Sequence, residues 1–293
     1  YTNDTERGIS HPEDPFRSNN YLNFNLNYGK WTAGIQGEAY APNALLNYNP
    51  KFNETNVATW YLNYKSSKLD VTAGYFYEQF GSGLLLRSWE DRSLGINNAI
   101  RGGKVTYTPN DYLLFTALYG KHRTGFDVSN GDIFGFNSDI NLFKLLKVEG
   151  ADLSTGFSYV GRTEKTDVVD PNFDQLTNAF AGRINFSKNN FYLFTEYNYK
   201  SDDAVLYNLN INNDFVKPGS ALLLNFGYSK KGFGMDVNLR RSENMSFYSD
   251  RVPETYTETL STSINYNDKI LNFVPSLTKQ HHFNLANIYV YQA

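Results

Sequence analysis

Two sets of residues in this chain have the types and spacing to do chemistry. The first is the segment 78–103, in which Gly81-x-Gly83 and three successive leucines precede a run of charges. The second set lies in stretches where polar and apolar residues alternate, which places its side chains on one face of a strand. The segment supplies Arg87, Glu90, Asp91 and Arg92, with Gly81, Gly83, Gly102 and Gly103 as glycines of an inward-folded loop; the alternating stretches supply Glu38, Arg183, Glu196, Asn198, Asp236, Asn238 and Arg240.

Catalytic and metal-binding arrangements are weak in comparison. His281 and His282 are neighbours, so on a strand their side chains point to opposite faces. Ser276 lies near His281, but Pro275 interrupts the strand and no residue is identifiable that would orient the histidine. Asp202 and Asp203 read as solvated loop carboxylates. We therefore predict a protein that is not an enzyme and that has no cofactor and no metal site.

Composition narrows the class further. A net charge of −3 and a pI near 5.9 disfavour a nucleic-acid partner, and 16% aromatic residues exclude a disordered chain. The longest continuous aliphatic run has four residues, Ala221 to Leu224, whereas a membrane-spanning helix needs about 20. The mean hydropathy of −0.51 does not argue against a membrane barrel, because the lipid-facing and lumen-facing residues of its strands cancel in an average.

Strict alternation predicts about fourteen strands, most of them long enough to cross a bilayer when tilted. In Tyr21–Tyr28, three apolar side chains share one face while asparagines share the other. The predicted strands lie near 21–28, 31–40, 56–65, 68–77, 101–108, 112–121, 132–140, 152–163, 176–187, 190–200, 219–229, 232–243, 255–267 and within 269–291. The residues predicted to face lipid are Leu22, Phe24, Leu26, Trp60, Leu62, Leu222, Leu224, Phe226, Met235, Val237 and Leu239.

The connections alternate between short and long. Tight turns such as Gly29-Lys30 and Lys230-Lys231 alternate with long connections, at about 41–55, 78–100, 122–131, 164–175, 201–218 and 244–254. This alternation predicts an all-β fold: an antiparallel up-and-down transmembrane β-barrel with short periplasmic turns and long extracellular loops. Residues 1–18, polar and punctuated by prolines, are expected to form a periplasmic lead-in or a small plug, with a disordered tail as an equal alternative, and residues 19–293 are expected to form the barrel.

Two stretches carry a family resemblance: Phe76–Leu84 followed by Arg101-Gly102-Gly103, and Pro275–His281 leading into Leu285–Tyr289. With them the chain resembles Bacteroidota outer-membrane β-barrel proteins and is most similar to an uncharacterised group of unknown function. The resemblance implies an outer-membrane location and no particular activity. Members look longer, and the last residues lack the terminal aromatic of a typical closing strand, so the numbering is expected to stop before the natural C-terminus.

The function predicted from these features is passive transport across the bacterial outer membrane. A porin-like or substrate channel would let solutes diffuse past a constriction formed by the segment 78–103 and the inward charges. The alternative is a non-conducting barrel subunit of an outer-membrane complex for secretion, assembly or surface attachment. The inward charges suit a water-filled lumen and a salt-bridged filled barrel equally, and the segment suits a simple closing loop as well as a selective constriction. The expected partners are outer-membrane lipid and lipopolysaccharide, with other outer-membrane proteins or surface lipoproteins on the alternative.

Overall fold

The computed structural model describes most of the chain between residues 18 and 274. Its described ranges are 18–41, 55–92, 96–164, 174–203, 206–207, 210–211, 216–251, 254–256, 263–265 and 269–274. The predicted lead-in or plug at 1–18 lies outside these ranges except for Ser18, as do most of the predicted strand within 269–291 and the motif beginning at Pro275.

Twelve long strands form one antiparallel sheet in which each strand pairs with the next long strand of the chain. The strands β1 and β12 are the two edges of this described sheet. The twelve are β1 Ser18–Tyr28, β2 Trp31–Ala41, β3 Thr55–Lys65, β4 Leu69–Phe76, β5 Ile100–Asn110, β6 Leu113–Thr124, β7 Asp127–Asn141, β8 Asp152–Thr163, β9 Leu176–Lys188, β10 Phe191–Asp203, β11 Lys217–Lys230 and β12 Phe233–Glu243. Within the described ranges, no helix is long and apolar enough to cross a membrane.

The register puts like side chains on like faces. Phe24 of β1 lies opposite Ile35 of β2, and Asn25 lies opposite Gly34, so the apolar and polar faces of the two strands coincide. Because the side-chain period of a strand is two, a slip of one residue would exchange the two faces. The sequence alternation therefore fixes the register wherever the two faces meet different surroundings.

Short turns and long connections lie at opposite ends of the sheet, with one departure from the predicted lengths. The stretch 122–131, predicted as a long loop, is a hairpin: β6 continues to Thr124 and β7 begins at Asp127, with a bulge between Lys121 and Arg123. The strands extend because His122, Arg123 and Thr124 are buried among inward contacts and are not solvated. The connection after β7, on the short-turn side, holds a short helix, α1 Leu142–Leu146, capped by the Asn141 side chain.

The sheet curls strongly toward its polar face. Glu38 of β2 and Arg123 of β6 form an ion pair of 2.8 Å, although β3, β4 and β5 lie between their strands. On a flat sheet four strand spacings would separate them by about 19 Å, and side chains stand roughly perpendicular to the sheet. Only a concave inner face lets these two side chains meet.

The core lies inside this concave face. Connections that leave the ends of β4 and β12 turn inward and pack against the wall, and the segment 244–254, predicted as an outer loop, buries Met245 and Phe247 at its start. The predicted strand 255–267 is also corrected: its described parts, Glu254–Tyr256 and Ser263–Asn265, pair with each other as a short hairpin. Alternation alone does not separate a wall strand from such a hairpin.

Candidate functional site

An apolar cluster fills the concave face at the long-loop end. We call it the inner cluster: Phe80, Leu84, Leu85, Leu86, Phe247 and Leu271, each at most 3% exposed. The wall makes room with small inward residues such as Ala179, Ala181 and Ala221. The three successive leucines, which a solvated loop would not need, are accounted for by this burial. It removes apolar surface from water and stabilises the inward position of the segment.

Asn272 holds the inner cluster together. Its side-chain amide donates to the Leu84 and Met245 carbonyl oxygens at 2.8 and 2.7 Å, and its amide oxygen accepts from the Phe247 backbone N–H at 3.0 Å. Backbone hydrogen bonds from Leu271 and Phe273 extend the same connection. Three pieces of chain far apart in sequence thus form one hydrogen-bonded assembly inside the sheet.

Glu196 anchors the segment to the wall. Its carboxylate, fully buried on β10, accepts from the Ser82 backbone N–H and from the Ser82 hydroxyl, both at 2.8 Å. Asn198, also fully buried, donates to the same carboxylate at 3.1 Å. Gly81 has a φ of 54°, and a Cβ there would collide with Glu196 Oε2, so the tight approach requires glycine. Gly83 also has a positive φ, of 91°.

Arg183 lies on the inner wall in a second polar cluster. Its guanidinium donates to Ser158 Oγ at 2.7 Å and Asn137 Oδ1 at 2.6 Å, and it forms an ion pair with Asp139. Planar donors matched to several acceptors are the usual way of keeping a buried arginine charged. This cluster lies beside the Glu196 anchor, since Arg183 and Glu196 are directly paired across β9 and β10.

A third polar cluster closes the long-loop end. Asp203 accepts from Arg162 Nη2 at 2.6 Å and from Arg251 Nε at 3.3 Å, and Lys200 Nζ lies 3.5 Å from its other oxygen. Asp203 is the last residue of β10, which corrects its assignment to a solvated loop. Three cations thus surround Asp203, and the ring of Phe247 lies 5.5 Å from Arg162 and 5.8 Å from Lys200.

Glu164 continues this cluster beyond the end of β8. Its Oε2 accepts from the Arg251 backbone N–H at 2.7 Å. Burial raises the pKa of Glu164 above its ordinary value of 4.5, and Asp250 adds to the rise, while the Arg251 backbone N–H, Arg162 and Arg251 act in the opposite direction. Burial outweighs the favourable partners, so the neutral acid gains stability in the folded state.

The remaining charges of the segment lie near its surface. Arg87 lies over the rings of Trp89 at 4.8 Å and Phe273 at 4.6 Å. Arg92 donates to Glu90 at 3.0 Å and lies 4.6 Å over the Tyr21 ring of β1. Asp91 pairs through its backbone with Ile96. These contacts tie the segment to itself and to β1.

Three predicted inward residues are not brought to these clusters. Asp236, Asn238 and Arg240 share the polar face of β12, the edge strand, and all three are exposed. Asp236 accepts a hydrogen bond of 2.6 Å from Tyr192 on β10. Asp236 lies three residues from the short-turn end of β12, whereas Arg240 lies three residues from its other end, opposite Leu223 of β11.

Two of the predicted loop glycines lie in a strand instead. Gly102 and Gly103 belong to β5, where they pair with β4 and β6. Gly102 is required by close packing, because a Cβ there would collide with the Tyr119 carbonyl oxygen of β6. Gly103 faces outward with little around it. The segment therefore ends before β5 begins at Ile100.

The residues predicted to face lipid lie on the convex face of the sheet. The exposed ones are Leu22, Phe24, Leu26, Trp60, Leu62, Met235, Val237 and Leu239, and the half-buried ones are Leu222, Leu224 and Phe226.

The sequence analysis did not identify the inward cations Arg123, Arg162 and Arg251, because each lies within a predicted long loop or at its border. Arg123 could have been found from the sequence if the alternation of β6 had been followed beyond residue 121.

Comparison with known protein families shows which family the chain belongs to. A family model matches residues 1–293. The chain belongs to the DUF6029 family, a family of unknown function. No curated protein matches the chain.

Several solved structures are similar to this DUF6029 member at low identity. They include Pseudomonas aeruginosa OccK3 (OpdO), at 10% identity over 72% of each chain with a TM-score of 0.36. The outer membrane channel DcaP of Acinetobacter baumannii is 12% identical over 78% of this chain and 67% of its own, with a TM-score of 0.40. A BenF-like porin from Pseudomonas fluorescens Pf-5 is 9% identical over 72% and 70%, with a TM-score of 0.36. TM-scores below 0.5 do not establish a shared fold.

Proposed function

We propose that this protein is an outer-membrane β-barrel. The observation that carries the proposal is the contrast between the two faces of the sheet. Large apolar side chains such as Leu22, Phe24 and Leu26 are 66 to 69% exposed on the convex face, while charged residues lie buried and paired on the concave face. Water would not stabilise such a surface, but lipid does, and a sheet in lipid must close so that no backbone group stays unpaired.

Within that barrel, the segment that precedes β5 acts as a constriction on a passive channel. It enters the concave face, is anchored at Ser82 by Glu196, and carries charged residues toward β1. Inward charges of both signs on the wall set which solutes pass, and diffusion needs no covalent chemistry.

A second function is favoured by the packing of the same segment. The inner cluster and the Asp203 cluster fill the long-loop end with apolar contacts and ion pairs. A barrel filled in this way suits a non-conducting subunit of an outer-membrane complex, whose loops or outer wall bind protein partners.

Conductance across a planar bilayer separates the two functions. The wild-type chain would be compared with the double variant Ser82→Ala/Glu196→Gln, which releases the segment from the wall. Thr106→Ala is the matched control, because its hydroxyl lies 3.2 Å from Thr116 on the inner wall, away from Ser82. Each protein would first be shown to be folded by a difference in gel mobility between its heated and unheated samples.

If the protein is a channel, we expect steady conductance of the wild type, a larger conductance of the double variant, and a conductance of the control equal to that of the wild type. Silence of all three folded proteins would reject the channel and support the filled barrel. Failure of the wild-type chain to insert into lipid at all would reject the outer-membrane assignment itself.

A further inference from the structure

An apolar groove crosses the convex face near the short-turn end. It has a volume of about 310 Å³ and is lined by Trp31, Leu62, Tyr64, Val71 and Ala73, on β2, β3 and β4. Its lining is almost wholly apolar, so it offers nothing to a polar solute.

The register explains why a groove forms here. Across the sheet, Leu62 lies opposite Ala73, and Ala73 lies opposite Gly103 on β5. Two successive small residues leave a depression beside the larger side chains of Leu62 and Tyr64. A Cβ added at Gly103 would have only the Thr72 carbonyl oxygen near it, at 3.9 Å. The space is therefore open toward the membrane.

The end of the groove has an aromatic and basic rim. Trp31 and Tyr64 are directly paired, with ring centroids 5.0 Å apart. Amphipathic rings at a strand end lie at the level of lipid headgroups. The adjoining turns carry Lys30 and Lys68, both exposed, and a backbone hydrogen bond of 2.9 Å from Lys65 to Lys30 holds the two turns side by side.

Lys65 differs from its two neighbours. Its Nζ lies 3.3 Å from Asp70 Oδ2, and the other oxygen of that carboxylate, Oδ1, accepts from the Asn63 side-chain amide on the inner face. Its charge is thus compensated inward. Lys30 and Lys68 form no salt bridge within the described ranges.

In the described part of the short-turn end the basic residues are all lysines, and they outnumber the carboxylates there, which include Asp70, Asp111, Glu149 and Asp152. Its turns and the strand ends beside them carry eight of the chain's lysines and no arginine: Lys30, Lys65, Lys68, Lys144, Lys147, Lys188, Lys230 and Lys231. Lysine near a membrane surface attracts anionic headgroups. At β2–β4 this basic end adjoins the apolar groove.

We propose that the groove is a binding site for an anionic phospholipid of the leaflet on the short-turn side. One acyl chain lies in the groove against Ala73 and Gly103, and the phosphate lies at Lys30 and Lys68. The occupant is a phospholipid and not lipopolysaccharide, because the short turns mark the periplasmic end of an outer-membrane barrel. The site rests on the proposed membrane location and is independent of whether the barrel conducts.

The test is native mass spectrometry of the delipidated full chain in detergent. The protein is titrated with phosphatidylglycerol and, separately, with phosphatidylcholine of identical acyl chains. Three variants accompany the wild type: Lys30→Gln/Lys68→Gln, Lys230→Gln/Lys231→Gln as the charge-matched control, and Ala73→Leu, which fills the groove. Each variant is checked for wild-type heat-modified mobility and for insertion into vesicles.

The wild type is expected to retain phosphatidylglycerol over phosphatidylcholine. The Lys30/Lys68 double variant should lose this preference, by roughly fivefold per lysine at low ionic strength. Ala73→Leu should weaken both lipids, and the Lys230/Lys231 control should change neither.

Three results would overturn the site: no preference in the wild type, an equal loss in the control, or unchanged binding in Ala73→Leu. Insertion into vesicles without headgroup preference rejects the lipid site alone, whereas failure to insert rejects the membrane location on which it rests.

Discussion

Glu38 and Arg123 meet at 2.8 Å inside the sheet, four strands apart and 85 residues apart in the chain. Glu38 is also held by the Gln36 amide and the Tyr40 hydroxyl. An ion pair that spans so many strands exists only if the sheet is curled. It is therefore a direct reporter of the concave interior.

Breaking this pair from one side should destabilise the fold. Arg123→Met leaves the Glu38 carboxylate buried without its cation, which costs about 3–5 kcal/mol of unfolding free energy. The double variant Glu38→Met/Arg123→Met removes both charges and should recover most of the loss. Urea titration of the protein in vesicles measures both. A double variant less stable than Arg123→Met would contradict the role assigned to the pair.

An arginine on the convex face should disfavour the membrane-inserted state. Leu62 lies between the interfacial Tyr64 and the bilayer midplane, so Leu62→Arg is expected to cost about 1–3 kcal/mol, since the cost falls from about 2–4 kcal/mol at the midplane to about 0–1 kcal/mol at the interface. The control Asn63→Arg places the same charge on the concave face beside Asp70, with which Asn63 is hydrogen-bonded at 2.6 Å. The folding midpoint in vesicles is the measurement. Equal effects of the two substitutions would remove the distinction between the faces.

Gly81 should be far less replaceable than another glycine of similar backbone conformation. Gly81 and Gly29 have φ values of 54° and 59°, but a Cβ at Gly29 has nothing within 4 Å. Gly29→Ala should cost about 1 kcal/mol from backbone strain alone. Gly81→Ala adds a collision with Glu196, for about 2–4 kcal/mol in all.

Limited proteolysis reports where that cost falls. Cleavage within 78–92 should accelerate in Gly81→Ala, because the segment leaves the wall, and should not change in Gly29→Ala. If both variants were cleaved at the wild-type rate, the Ser82–Glu196 anchor would not be what holds the segment.

The Glu164 carboxyl should contribute stability to the long-loop end in acid that is lost toward neutral pH. Burial raises its pKa in the folded state, so the folded state favours the protonated form. This contribution is present below the ordinary pKa of 4.5 and is lost as pH rises through the raised value. The variant Glu164→Gln, neutral throughout, should lack this part of the pH dependence. Proteolysis of the segment 245–251 between pH 4 and pH 7 tests it; identical profiles for variant and wild type would reject it.

The twelve strands could be found from the sequence because alternation is a local signal. Most predicted strand bounds agree with the structure to within two residues. The predicted polar and apolar faces also agree with the observed pairing, as in β1 and β2. The largest difference is at the β6–β7 hairpin, where the polar residues His122 and Arg123 suggest a solvated loop although both are buried. The sequence shows that a residue is charged, but it does not show which residue will pair with that charge.

The contents of the concave face could be predicted only in outline. Three successive leucines indicated that the segment beginning at 78 folds inward, and they lie in the inner cluster. No local sequence pattern indicated that Phe247 and Leu271 would pack against these leucines. Nor did any indicate that Asp203 would form ion pairs with Arg162 and Arg251. These partners meet only after the sheet has curled.

The sequence by itself determined which residues form strands and which face of each strand is apolar, because both follow from a period of two along one stretch of chain. Only the tertiary structure decided how the interior is filled. Asn272 reaches the Leu84 carbonyl across 188 residues, and Glu196 reaches Ser82 across 114. The curvature of the whole sheet sets such distances, and curvature is a sum over all twelve strands that no single stretch of sequence contains.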